Sequence, residues 1–287
     1  MRLGQLITAT ALGLALAVAS GAPAHADDDL GNEGGGGINT DTVPADVARR
    51  ADDKQALAAA YVAAKQDKGS VSAFEQAARD YAVKHDDESV LASSKDPSMM
   101  SAAATDKVLA VAHYAQIDSY FCGPGSGKMI LKYMRAGSSA YNGSPQDPDH
   151  IGGPGHMRTW ANGTTAWDSG RFRIGLNRWR EGKDDGYYVD KHDPTVTYFK
   201  NSLTYGVDYG FPLGADTVEF KGGTHYNGHP NLKIGHWIVG HGYYDDAGRT
   251  RFADPAAPDL YPNASKHFSY NTSDFVNRFL EYNGITW

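Results

Sequence analysis

Cysteine occurs once in this 287-residue chain, at Cys122, in the stretch SYFCGPGSGKMILKYMRAG that runs from Ser119 to Gly137. A lone cysteine has no internal disulfide partner, so it is an intermolecular bridge, a small core residue or a reactive thiol. Its neighbours favour the thiol. Pro124 suits a first helical turn, where a missing N–H costs nothing, and Met129, Ile130, Tyr133 and Met134 recur at helical spacing. Gly137 suits the position just past a helix end. The pattern predicts a helix starting at or just after Cys122, where unpaired N–H groups and the helix dipole favour a thiolate. Gly125, Ser126 and Gly127 are small enough for another backbone to approach closely. A phosphate-binding loop is excluded: the run from Gly123 to Lys128 is one residue short, and Met129 stands where magnesium needs Ser or Thr.

A cysteine nucleophile needs a base, and the base needs an orienting partner. Of 11 histidines, His236 opens HWIVGHGYYDD, an apolar run that reads as a buried strand. Alternation puts His236, Ile238 and Gly240 on one side and Trp237, Val239 and His241 on the other. Gly240 is expected to leave room for the helix start, which makes His236 the candidate base and His241 a packed or hydrogen-bonded histidine. Asp254 ends the next strand-like run, RTRFADP, where a carboxylate would accept the ring N–H of His236 and fix its tautomer. A turn-forming Asp before Pro255 is the plainer alternative. His225, His229 and His236 fall within one short span. Gly228, Pro230 and Asn231 mark it as a loop bordering the cleft, and no HExxH occurs, so neither metal nor other cofactor is expected.

Gln116, six residues before Cys122-Gly123-Pro124, then GHWIVGHGY, then Asp254-Pro255, together resemble the papain-like cysteine peptidases. The branch most similar is that related to the bacteriocin-processing, double-glycine-leader peptidases. The resemblance runs from about Val108 to the C-terminus. It implies a papain-like α+β fold with Cys122 as nucleophile, His236 as base, Asp254 as its orienting carboxylate and Gln116 in the oxyanion hole beside the Cys122 N–H. Gly125 replaces the family's usual Ala, a departure that leaves this chemistry intact. The dedicated leader peptidases are fused to a membrane transporter with an ATPase, which this sequence lacks, so leader cleavage during export is not its expected task.

The elements that must hold these residues follow from texture. Residues 1–26 carry Arg2, an apolar run from Leu6 to Ala19 and Ala24-His25-Ala26, the arrangement of a Sec signal peptide, so the protein is expected to be secreted. Residues 27–42 are acidic and Gly-rich and read as a flexible linker. Residues 43–107 contain two helix-favouring runs, the second with Ser72 and Glu75 as a capping box, and form a helical extension or a pro-segment. Residues 108–287 form the peptidase-like domain, with helix after Cys122 and from Ser169 to Glu181, continuing into the Asn201–Tyr205 region. The strand-like runs are YVDK, TVTYF, HWIVGHGYY, RTRFADP and KHFSYN. Helix first and sheet later is an α+β order, with the nucleophile's helix packed on an antiparallel sheet.

The net charge of −7 argues against nucleic acid or an anionic membrane as partner. The expected partner is a peptide or protein, and the expected activity is amide hydrolysis through a thioacyl-enzyme. Two alternatives stand beside it. One is a non-catalytic peptide- or cell-wall-binding module of the same fold; the other is an acyl transferase or amidase using the same residues. The sequence leaves substrate and oligomeric state open.

Overall fold

The computed structural model describes residues 30–33, 43–67, 70–87, 90–91 and 105–287. The expected signal segment lies outside them, and of the expected linker the described part is residues 30–33. No helix among the described residues is long and apolar enough to cross a membrane.

The chain lays down β1 (Leu30–Glu33), α1 (Ala45–Gln66), α2 (Val71–His85), β2 (Lys107–Val108) and α3 (Cys122–Tyr133). After two single-turn helices come α4 (Arg171–Glu181), β3 (Asp190–His192), α5 (Val196–Asp208), β4 (Leu213–Glu219) and β5 (Lys233–Tyr244). The chain ends with β6 (Arg249–Ala253), β7 (His267–Asn271), α6 (Thr272–Phe279) and β8 (Gly284–Thr286). One sheet has the order β3-β8-β4-β5-β6-β7, antiparallel along that path, with β1 paired parallel and β2 antiparallel to β5. This is an α+β architecture.

β5 is the axis of the sheet, buried along nearly all of its 12 residues. Its alternation sends Trp237 to the face covered by α3 and α4, where the indole stacks on Phe172 with centroids 4.0 Å apart. Gly214, on the adjoining strand, has no side chain because the Phe172 ring fills that space. Such an aromatic pair adds about 0.5–1.5 kcal/mol beyond its area burial. The opposite face packs on α5 and α6, where Phe252 meets Phe275 at 4.2 Å. A side chain at Gly240 would meet Leu213 at 2.9 Å and Leu203 of α5 at 3.6 Å. Gly240 therefore makes room for α5, not for the start of α3 as the alternation suggested.

α1 and α2 pack against the body of the molecule through buried Leu57, Tyr61, Phe74 and Tyr81. The ammonium of the buried Lys54 donates to the carbonyls of Tyr187 at 2.7 Å and Trp287 at 2.8 Å. Lys65 reaches Asp208 at 2.7 Å. Three local expectations are corrected. α2 begins at Val71 after Ser70, so Ser72 is inside the helix and does not cap it. TVTYF is not a strand: Thr195 accepts the Tyr198 N–H at 3.2 Å and starts α5. β-branched and aromatic residues read as strand, yet the cap and the i, i+3, i+7 spacing of Val196, Phe199 and Leu203 win. Finally, α3 ends at Tyr133 and the left-handed residue beyond it is Arg135, at φ +52°, not Gly137.

Candidate active site

Two edges of β5 are available for pairing, and the site is built on one of them. β4 occupies one edge from Ile234 to Gly240. On the other, Lys233 and Gly235 pair with Leu30 and Glu33 of β1, and β6 joins only from Val239 onward. Between these lies Trp237. Its N–H donates to Cys122 Sγ at 3.4 Å, and its carbonyl accepts from Ser126 Oγ at 2.9 Å. The first turn of α3 thus stands where a neighbouring strand would be, and the sulfur touches the peptide unit that links His236 to Trp237.

The glycines around the thiol permit this approach. A side chain at Gly125 would lie 2.9 Å from Pro255 Cβ and 3.4 Å from Gln116 Cβ. One at Gly123 would occupy the place of the Thr165 hydroxyl. Trp237 Nε1 donates to the Thr165 carbonyl at 2.8 Å and ties that segment over the turn.

Cys122 is fully buried. Burial is the largest influence on its thiol and pushes it up; the N–H groups of Trp237 and Gly123 pull the other way, and the carboxyls of Asp216 and Asp254 add to the rise. The helix start therefore does not make the sulfur anionic unaided, as the sequence suggested. Loss of water outweighs two donated N–H groups. A base that takes the thiol proton offsets that loss.

That base has one candidate at hand. His236 is fully buried, and its Nε2 donates to Asp254 Oδ1 at 2.8 Å. Asp254 follows the last residue of β6 and is held by four donors. Oδ1 accepts from His236 Nε2 and the Ala256 N–H at 2.9 Å, while Oδ2 accepts from His229 Nε2 at 2.7 Å and Asn227 Nδ2 at 2.8 Å. Burial would raise this carboxyl, but the His236 charge and the hydrogen bonds of His229 and His236 hold it far below the usual carboxylate range. Its backbone carbonyl accepts from His113 Nε2 at 2.8 Å.

Gln116 lies at the rim of the α3 start. Its N–H donates to the Pro255 carbonyl at 2.9 Å. Its side-chain amide donates to the carbonyls of Asp118 at 2.7 Å and Ser119 at 3.0 Å. All four residues singled out from the sequence thus lie around the junction of α3, β5 and the end of β6.

The sequence reading missed His229 and Glu219. The HYNGHPN segment was expected to border the cleft as a loop, yet His229 is buried and its two ring nitrogens meet two carboxylates. Nδ1 lies 2.6 Å from Glu219 Oε1, and Nε2 lies 2.7 Å from Asp254 Oδ2. Burial lowers this imidazole, but the hydrogen bonds to Asp254 and Glu219 and their charges outweigh it and raise it to about 9. The available signal was Glu219 itself, an acid ending an otherwise buried strand, which requires cationic or hydrogen-bonding partners nearby. His241 is the hydrogen-bonded histidine expected of it: Nδ1 donates to the Leu109 carbonyl at 2.9 Å.

His229, His236 and Asp254 are also the grouping among the described residues dense enough for a metal, with ligand atoms within 4.8 Å of one another. Their N···O separations of 2.7 and 2.8 Å are hydrogen-bond lengths. A zinc ion bonding each atom at about 2.0–2.2 Å in tetrahedral geometry would hold them further apart. Shared protons account for the arrangement.

A family model described as the Peptidase_C39 like family matches residues 108–286. No curated protein and no solved structure matches the chain.

Proposed function

The chain belongs to the Peptidase_C39-like family of cysteine peptidase-like hydrolases, and from that premise we propose that it cleaves peptide bonds through a thioacyl intermediate on Cys122. The observation that carries the reading is the seat of the sulfur, 3.4 Å from the N–H of the residue that follows His236, whose ring is held by Asp254.

In this reaction His236 takes the thiol proton and the sulfur attacks the substrate carbonyl carbon. The oxyanion is held by the Cys122 N–H and by Gln116, whose amide exchanges a bond to Asp118 or Ser119 for one to substrate. His236 returns the proton to the leaving amine as the C–N bond breaks. Water then attacks the thioester, giving up a proton through His236, and releases the acid and the free thiol.

The substrate side rests on the β5 edge. An extended peptide laid along Lys233 and Gly235, as Leu30–Glu33 is, would run toward Trp237 and the sulfur, adding to the sheet by backbone hydrogen bonds. A papain-like arrangement of subsites and export through residues 1–26 belong to the same proposal. N-terminal sequencing of the protein recovered from culture medium checks the export.

Cys122→Ala is expected to give a folded protein that neither cleaves a peptide library nor reacts with iodoacetamide. Turnover by that variant at the wild-type rate would refute the reading. Incorporation of an added amine in place of net hydrolysis, followed by mass spectrometry, would assign the same residues to a transferase.

A further inference from the structure

Neutral imidazole carries one N–H, yet His229 faces an acidic oxygen at each ring nitrogen, at 2.6 Å and 2.7 Å. With both carboxyls ionised, only the doubly protonated ring satisfies both contacts. Glu219 Oε2 accepts the Tyr226 N–H at 3.2 Å and lies 3.0 Å from His225 Nδ1, which leaves Oε1 to face the His229 ring. Glu219, His229, Asp254 and His236 are buried, and their four groups form one continuous line of hydrogen bonds.

That line joins two rigid anchors. Glu219 ends β4, opposite Ile234 of β5, and Asp254 directly follows β6. The remaining groups that face His229 are the His236 ring at 5.5 Å, Tyr226 at 4.4 Å and Tyr261 at 4.7 Å, between centroids. Asn227 shares Asp254 Oδ2. A neutral group in place of the His229 ring would leave two carboxylates in one buried space with no cation between them, an arrangement that like charge disfavours strongly.

We propose that His229 is a positioning residue of the acyl-transfer reaction: a second imidazole that links Glu219 to Asp254, fixes the Asp254 carboxylate in register with His236 and shares its charge. This rests on the reading of Cys122, His236 and Asp254 as the reacting set. Asp254 then divides its attraction between two rings, one on each oxygen. The division leaves His236 oriented while limiting how firmly its proton is retained, which favours return of that proton to the leaving amine.

Three measurements test this on the full chain, with His229→Gln and Glu219→Gln as variants. In the Cys122→Ala background, imidazole ¹⁵N spectra should show His229 doubly protonated at pH 7, losing its proton near pH 9. Glu219→Gln, which keeps the side-chain shape, should lower that midpoint by about one unit or more, because it removes one of two stabilising anions. In enzyme retaining Cys122, His229→Gln should move the pH midpoint of iodoacetamide alkylation upward, since a cation offsetting Asp254 has gone. Its kcat on any peptide the wild type cleaves should fall about 10- to 100-fold, with KM nearly unchanged, the range seen when hydrogen-bond partners that orient a functional side chain are lost.

A His229 ring that is neutral at pH 7 would overturn the proposal. So would an alkylation profile that His229→Gln leaves where it was. Spectra and alkylation need no substrate, so failure to find any cleaved peptide counts against the function, while these two results separately decide whether His229 is the charged link that acts on Asp254 and the thiol. If His229→Gln does not fold, the Glu219→Gln midpoint decides alone.

Discussion

Two buried aspartates act on the thiol through their charge, and they have opposite fates. Asp254 and Asp216 are both fully buried, one just past β6 and the other within β4, opposite Trp237 and Gly284. Asp254 accepts four hydrogen bonds and is held ionised. No donor stands at ordinary hydrogen-bond geometry from either oxygen of Asp216 among the described residues, and the amide of Asn283 beside it makes only a weaker contact. Burial is the largest influence and raises Asp216 well above the usual carboxylate range; Asn283 lowers it somewhat, while Asp168 and Asp190 raise it further. Equal burial thus goes with a carboxyl pulled down in one place and pushed up in the other. Donors decide which.

The strongest test of this contrast is Asp254→Asn. The amide cannot accept from both histidines, so an N–H is left facing an N–H. Loss of an orienting carboxylate of this kind costs about 10⁴-fold in kcat, and breaking a buried charge pair costs about 3–5 kcal/mol in stability. Because the folded Asp254 carboxyl lies below its unfolded value, its contribution is present above about pH 3.9 and is lost as the pH falls further. Denaturant melts of the variant should therefore lack part of the wild-type decline below about pH 4. Activity of D254N within about tenfold of wild type would erase the distinction between the two sites.

Asp216→Asn should behave in the opposite sense. The folded carboxyl ionises above its unfolded value of about 3.9, so the unfolded chain ionises first and the native state loses stability as pH rises. Replacing it with an amide removes that loss. The variant should be more stable than wild type at about pH 8, with little difference near pH 3. Equal stability at both pH values would mean that Asp216 has donors after all.

The smallest expected effect concerns access to the thiol. Deleting residues 27–37 removes β1 from the β5 edge. Alkylation of Cys122 and kcat/KM should each rise about three- to tenfold, as a larger fraction of molecules offers a free edge. The pH dependence set by Asp216 should not change. Unaltered alkylation would show that β1 does not compete for that edge.

Much of the candidate site's layout was legible because its signals are local. Cys122 before Gly-Pro, His236 opening an apolar strand, and Asp254 ending the next one each carry their context within a few residues. The two helices of the 43–107 stretch were legible for the same reason. What escaped depended on contacts distant in sequence. Nothing near His229 indicates that Glu219 and Asp254 converge on it, ten residues before and 25 residues after. Gly240 was assigned to the wrong neighbour because alternation gives a side chain's face but not the element that covers it. The charge on the sulfur was misjudged likewise: a helix start is visible in sequence, and the depth at which it is buried is not.

Seating a sulfur on a backbone amide in mid-sheet has a spectroscopic consequence. The Trp237 N–H ends on sulfur where a ladder amide ordinarily ends on a carbonyl oxygen, so its proton resonance registers the protonation and covalent state of Cys122 directly. Acylation withdraws the acceptor electrons from that bond, and a single amide cross-peak becomes a clock for formation and decay of the thioester.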